Sequence, residues 1–124
     1  MNILIVNRHP CKKSYTFQVL EHLKSEIAKQ NWNLEISDLY EMNFQSDMSE
    51  AKYEREGFAK TELPIPQDVL AEHAKIEKAD CIIFLYPVWW SDCPAKLKGW
   101  FDRVYSVGYA YGQNEISKKI KTNP

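Results

Sequence analysis

Two short stretches of this 124-residue chain gather residue types that suit a ligand, and each suits a different part of one. The first is Asn7-Arg8-His9-Pro10-Cys11-Lys12-Lys13-Ser14-Tyr15-Thr16. Ser14 stands where a helical pattern begins. A helix start offers free N–H groups and a partial positive charge, and Lys12, Lys13 and the hydroxyls of Ser14 and Thr16 add further donors. That set suits a phosphate. The same residues are also explained by a plain helix cap beside a solvated loop, and a lone loop histidine such as His9 is most often bonded to backbone. Neither G-x-G-x-x-G nor a Walker pattern is present, so the cradle would be of a looser kind than a Rossmann or P-loop site. The second stretch is Tyr86-Pro87-Val88-Trp89-Trp90-Ser91-Asp92-Cys93-Pro94. Adjacent tryptophans after a buried strand are awkward as core, because neighbours in a loop rarely point the same way and each indole N–H needs a partner. A planar aromatic ligand would account for them. The competing reading packs at least one of the two under the next helix or in a subunit interface.

Other candidates weaken on inspection. Cys93 precedes a helix, where a thiol pKa can fall, but no histidine is near it in sequence and a passive role is the better reading. Trp100, Phe101 and Tyr105 lie on one helical stripe and are expected in the core. The three cysteines lack C-x-x-C or zinc-type spacing, so free cytosolic thiols and no metal site are expected. The 16 basic and 17 acidic side chains leave a formal charge of -1, which argues against nucleic acid or anionic membrane as partner. The longest apolar run, Cys81 to Val88, is too short to cross a bilayer. With 44% hydrophobic and 27% charged residues, the composition is that of a globular protein with one core, and residues 1–124 are expected to form a single domain.

These two stretches need a scaffold that brings them together. Asn2 to Asn7 is a continuous apolar run of the kind found in a parallel strand covered on both faces. Phe17, Leu20, Leu23 and Ile27 then recur at helical spacing, in a helix ending near Asn31. Asn33 to Asp38 alternates as a short second strand. Gln45 to Pro66 is polar and weakly periodic, an excursion with a short helix expected around Glu50 to Ala59. Pro66 sets up a helix from Gln67 to Lys78, with Val69, His73 and Ile76 toward the sheet. Asp80 to Tyr86 is the third strand, its apolar run also expected to be covered on both faces. Pro94 opens a last helix with Leu97, Trp100, Phe101, Val104 and Tyr105 on its apolar stripe. The alternation of strands and helices predicts a parallel α/β sheet, three-layered α/β/α, with strand order 2-1-3. Ligands of such sheets sit beyond the carboxyl ends of the strands, where both stretches fall.

The chain resembles the flavodoxin-like NAD(P)H quinone dehydrogenase family, which includes the modulators of drug activity and the ancillary oxidoreductases of potassium efflux systems. The resemblance is carried by Tyr86 to Trp90, by Cys93-Pro94-Ala95-Lys96-Leu97-Lys98-Gly99-Trp100-Phe101-Asp102-Arg103-Val104, and by Gly108-Tyr109-Ala110-Tyr111. Asp38-Leu39-Tyr40 with Met42-Asn43-Phe44, and His9 with Ser14 and Tyr15, add to it. It implies that His9, Ser14, Tyr15 and Thr16 contact flavin phosphates, and that Pro87, Val88, Trp89, Trp90 and Ser91 line the isoalloxazine. It further implies FAD, with FMN as the alternative, NAD(P)H as co-substrate, a quinone as acceptor, a homodimer and a cytoplasmic location. The family continues past a basic stretch like Ser117-Lys118-Lys119-Ile120-Lys121 into further strands that have no match here. The fold is therefore expected to be incomplete, and the catalytic residues are not assigned. The alternatives to a quinone-reducing enzyme are a flavin- or nucleotide-binding regulatory subunit with little turnover, and an inactive fragment.

Overall fold

A computed structural model describes residues 1–112 of the chain. The basic stretch at residues 117–121 lies outside the described residues. Seven elements follow in order: β1 (Asn2–Asn7), α1 (Tyr15–Lys29), β2 (Asn33–Asp38), α2 (Glu50–Gly57), α3 (Gln67–Lys78), β3 (Cys81–Leu85) and α4 (Ala95–Val104). The three strands are parallel and ordered β2-β1-β3, as the alternation predicted. β1 is central, with Ile5 opposite both Ile36 and Ile83.

A central strand must be apolar on both faces, and β1 shows how. Ile3 and Ile5 pack with Leu20 and Ile27 of α1 on one side. Leu4 and Val6 pack with Leu39, Phe44 and the α4 residues Leu97, Trp100 and Val104 on the other. Burying each such side chain contributes about 1.5–3 kcal/mol, so the two faces together hold the three layers. α1 starts where Ser14 Oγ accepts the Phe17 N–H at 3.1 Å, and the turn closing it passes through Asn31 at φ 57, a left-handed position asparagine tolerates.

β3 differs from its expected description. It pairs only with β1 among the described residues, and Ile82, Ile83, Phe84 and Leu85 are half-buried while Cys81 is exposed. Its free edge borders a groove of about 520 Å³ lined by Ile76, Glu77, Ile82, Tyr105, Tyr109, Ala110 and Tyr111. Tyr105, expected in the core, is 39% exposed on this side, although its ring still meets Trp100 and Phe101 edge-on.

The polar excursion between β2 and α3 is held by charge. Lys52 Nζ donates to Glu56 Oε1 at 2.6 Å and to Ser106 Oγ at 2.7 Å; Arg55 Nη1 donates to Glu56 Oε1 at 2.8 Å and to the Val107 carbonyl at 3.1 Å. The Val107 N–H returns a bond to Glu56 Oε2 at 2.7 Å. Lys52 and Arg55 are buried. α2 is thereby latched to the segment that follows α4.

Candidate functional site

Parallel strands of order 2-1-3 send the loops after all three strands to one edge, and the side chains there converge. The Arg8 N–H donates to the Leu85 carbonyl at 3.2 Å, tying the start of the first loop to the end of β3. The His9 ring meets Trp89 edge-on at 6.1 Å, so the two stretches singled out in the sequence touch. The Arg8 guanidinium lies over Tyr40 at 5.2 Å and over Trp89 at 5.7 Å, which adds the loop after β2 to the same mouth.

The first loop is ordered by its own polar groups. The Cys11 N–H donates to His9 Nδ1 at 2.9 Å, the Lys13 N–H to Cys11 Sγ at 3.4 Å, and the Ser14 N–H to the Cys11 carbonyl at 3.2 Å. Ser14 acts as the cap, and no partner among the described residues accepts the N–H of Tyr15 or Thr16. Those amides are the free donors expected of a helix start. Thr16 is buried. The Tyr15 ring is instead 79% exposed and lines a separate hollow on the flank of α1 with Gln18, Val19, His22 and Leu23. Tyr15 thus adds its backbone N–H, not its ring, to the loop's donors.

The second loop is a strained presentation device. The Trp89 N–H donates to the Asp92 carbonyl at 2.9 Å and the Asp92 N–H donates to that of Trp89 at 3.1 Å, closing a tight turn. Its two central residues, Trp90 and Ser91, have φ of 51° and 65°. That is a type I′ turn, which favours Asn-Gly; a bulky residue there costs on the order of 1 kcal/mol or more. The turn holds Trp90 fully in solvent and leaves Trp89 41% exposed. Val88 is exposed, Pro87 half-buried and Ser91 exposed. Neither tryptophan packs under α4 within this chain, so a single copy does not satisfy the packing explanation.

The surroundings of Cys93 disfavour its thiolate. Burial first, and then the adjacent Asp92 carboxylate, push its thiol above the usual range. Among the described residues no group of three or more His, Cys, Asp or Glu side chains could hold a metal ion.

The sequence reading singled out neither Arg8 nor Tyr40 as a site residue. Arg8 Nε and Nη1 and the neighbouring Asn7 Oδ1 are shielded from solvent without a hydrogen-bond partner, and Asn7 is 2% exposed. The available signal was an arginine directly after a buried strand. Its significance depends on rings from two other loops.

α4 fixes the far wall of the mouth. A Cβ on Gly99 would sit 2.3 Å from the Ser46 carbonyl oxygen, so only glycine lets the helix pass this close to the post-β2 loop. Lys96 Nζ donates to the Phe44 carbonyl at 2.6 Å and Arg103 Nη1 to that of Gln45 at 2.8 Å. The loop that carries Tyr40 is thus clamped from α4.

A three-layer parallel sheet of order 2-1-3 with a phosphate-type loop and an aromatic loop at its carboxyl edge defines the flavodoxin-like class. Residues 1–122 match the family described as having the flavodoxin-like fold, and the chain belongs to that family. It is 36% identical over 121 residues to NAD(P)H dehydrogenase (quinone) 1 of Rattus norvegicus, covering 87% of this chain and 44% of the relative. It is 38% identical over 112 residues to an uncharacterized NAD(P)H oxidoreductase of Haemophilus influenzae, covering 90% and 54%. The solved NAD(P)H:quinone oxidoreductase from Methanothermobacter marburgensis superposes with a TM-score of 0.89 at 47% identity, over 93% of this chain and 58% of that one. General stress protein 14 of Treponema denticola, solved in complex with FMN, superposes with a TM-score of 0.60 at 26% identity, over 91% and 53%. The chain spans about half the length of the curated relatives it matches.

Proposed function

We propose that this chain is a single flavodoxin-like domain, residues 1–124, of a flavin-dependent NAD(P)H:quinone oxidoreductase. The observation that carries the proposal is the meeting of the loop before α1, through His9, with Trp89 at one mouth of the sheet, in a chain similar to proteins named for that activity. The residues fit a flavin. Free amides at Tyr15 and Thr16, beside Lys12, Lys13 and the Ser14 hydroxyl, suit its phosphates; orphaned polar atoms on Asn7 and Arg8 await a ligand; and the exposed indoles suit its ring.

His9, Ser14, Tyr15 and Thr16 would hold the phosphates, and Pro87, Val88, Trp89, Trp90 and Ser91 would line the isoalloxazine. A bound flavin supplies the capacity to take a hydride from NAD(P)H and pass two electrons to a quinone. The chain's own part is orientation: the Trp89–Asp92 turn fixes the backbone along one side of the mouth, and the exposed indoles would cover a bound ring. FAD is the proposed flavin, with FMN the alternative. The proposal includes a homodimer, as the family resemblance implies, and a cytoplasmic location, supported by three free thiols. No described helix is long and apolar enough to cross a membrane. A small-molecule quinone is the proposed partner, and no nucleic acid is expected.

The test is to purify the chain, record its visible absorption, identify the released cofactor by chromatography and assay NAD(P)H oxidation with a soluble quinone. Flavin absorption with turnover supports the enzyme. Flavin without turnover supports a regulatory binding subunit, and absence of both rejects the proposal.

A further inference from the structure

Arg8 is placed for a task that the proposed cofactor contacts leave unassigned. It emerges from the carboxyl end of the central strand, and its backbone N–H is bonded to Leu85, so its Cα is fixed between β1 and β3. The guanidinium is held between the rings of Tyr40 and Trp89. Contact with a π face answers the charge but leaves the N–H donors in the guanidinium plane unmet. Nε and Nη1 are shielded from water with no acceptor, and among the described residues no carboxylate pairs with Arg8. A shielded, unpartnered guanidinium is stable only where something else completes it.

The surroundings specify the missing group. The loop's acceptors, His9 Nδ1, Cys11 Sγ and the Cys11 carbonyl, are taken up within the loop, while the amides of Tyr15 and Thr16, the Ser14 hydroxyl proton and the exposed ammonium groups of Lys12 and Lys13 remain as donors. Of the exposed carboxylates at this rim, Glu41 lies 3.9 Å from Lys12 and Asp92 accepts the Cys93 N–H. So many donors facing one opening suit an oxyanion with several acceptor oxygens, which a phosphate has and a single carboxylate lacks. The Tyr40 and Trp89 rings beside the guanidinium suit a phosphate carried by an aromatic nucleotide.

We propose that Arg8 is a phosphate-binding residue, packed against Tyr40 and Trp89 so that its guanidinium donates to a phosphate oxygen of the nucleotide in this mouth. This inference rests on the flavin reading for the identity of the nucleotide. Two sources share the chemistry: the flavin phosphates, and the phosphates of NAD(P)H.

The experiment titrates wild-type, Arg8→Gln and Arg8→Lys protein with riboflavin, FMN, FAD and ADP-ribose, following flavin or tryptophan fluorescence, with thermal melting to confirm that each variant folds. With the flavin as source, Arg8→Gln weakens FMN and FAD about tenfold, the size of a lost charge-assisted bond, and leaves riboflavin unchanged. Arg8→Lys recovers part of the loss in a salt-dependent way. With the co-substrate as source, only ADP-ribose weakens. Equal loss for riboflavin and FMN overturns the proposal, because Arg8 then serves only to hold Trp89 in place. No loss for any phosphorylated ligand overturns it as well. Wild-type protein that binds ADP-ribose through Arg8 but no flavin would reject the flavin reading and keep this one.

Discussion

The turn at Trp89–Asp92 and the latch between α2 and the post-α4 segment reverse the ordinary rule of burial in opposite directions. The turn keeps two indoles in or near solvent on a backbone that disfavours bulky residues. The latch takes Lys52 and Arg55 out of water and answers them with Glu56, Ser106 and the carbonyls of Leu63 and Val107. Apolar surface withheld from a core at a conformational cost is surface kept for a ligand. Charge buried with every partner in place makes a rigid buttress that tolerates no partial loss. The mouth and the latch differ in what they stabilise: one waits for a partner molecule, the other is already complete.

The largest effect expected from breaking this contrast is on stability, away from the mouth. Glu56→Gln leaves Lys52 and Arg55 buried beside a neutral amide and should cost about 3–5 kcal/mol in urea unfolding. The triple change Lys52→Met, Arg55→Met and Glu56→Leu, which removes all three charges together, should cost less than Glu56→Gln alone, and a larger cost would show that the network stabilises rather than specifies.

Trp100→Ala should cost a similar 3–5 kcal/mol, since this side chain is fully buried among Leu4, Val6 and Leu97. Trp90→Ala, ten residues earlier, should change stability by less than about 0.5 kcal/mol. Equal melting shifts for the two would erase the distinction between core and presented tryptophan.

Gly99→Ala should cost on the order of 1–3 kcal/mol, because the methyl group meets the Ser46 carbonyl and both α4 and the Tyr40 loop must move. If the mouth depends on that clamp, flavin affinity should fall with it, and an unchanged affinity would separate the two. Trp89→Ala should weaken flavin binding by about 1 kcal/mol through lost aromatic contact, with little effect on melting. A melting shift without a change in affinity would make Trp89 a packing residue.

The smallest effect is on pH dependence. Burial foremost, with Lys52 and Arg55 nearby, holds His73 below the ordinary imidazole value of 6.5, against the opposing pull of its bond to the Val104 carbonyl and of Glu77. Protonation therefore favours the unfolded chain, and stability should decline as pH falls through 6.5 and toward the lower folded value. Asp68, held low chiefly by its hydrogen bond to Arg103, loses its contribution further down, below its ordinary 3.8. Glu56 ends below its usual 4.5 although burial, the largest influence on it, acts to raise it; Lys52, the Val107 N–H and Arg55 together outweigh that burial. Unfolding midpoints across pH 4–8 should flatten between pH 5 and 7 in His73→Gln, and an unaltered profile would remove His73 from the account.

Local chemistry made much of this legible. Continuous apolar runs marked β1 and β3, helical spacing marked α1, α3 and α4, and their alternation sufficed for a parallel sheet of order β2-β1-β3. The two ligand stretches were visible because helix caps, prolines and paired tryptophans are local signals. The burial of α2 was not visible. Lys52, Arg55 and Glu56 look like a solvated helix face in one dimension, and they are core only because Ser106 and Val107 arrive some 50 residues later with matching bond partners. β3 was misjudged for a related reason: an apolar run reports what the strand is suited to bury, while how much it buries depends on which strands lie beside it.

The sequence by itself determined the elements, their order and the two loops that carry chemistry, because backbone periodicity and turn chemistry act over a few residues. Only the tertiary structure decided that Arg8 lies between Tyr40 and Trp89, that Trp90 stands in solvent while Trp100 is buried, and that three charged side chains of α2 hold the fold together. Each of these depends on contacts between residues far apart in the chain, where burial and partner geometry, rather than residue type, set the free energy.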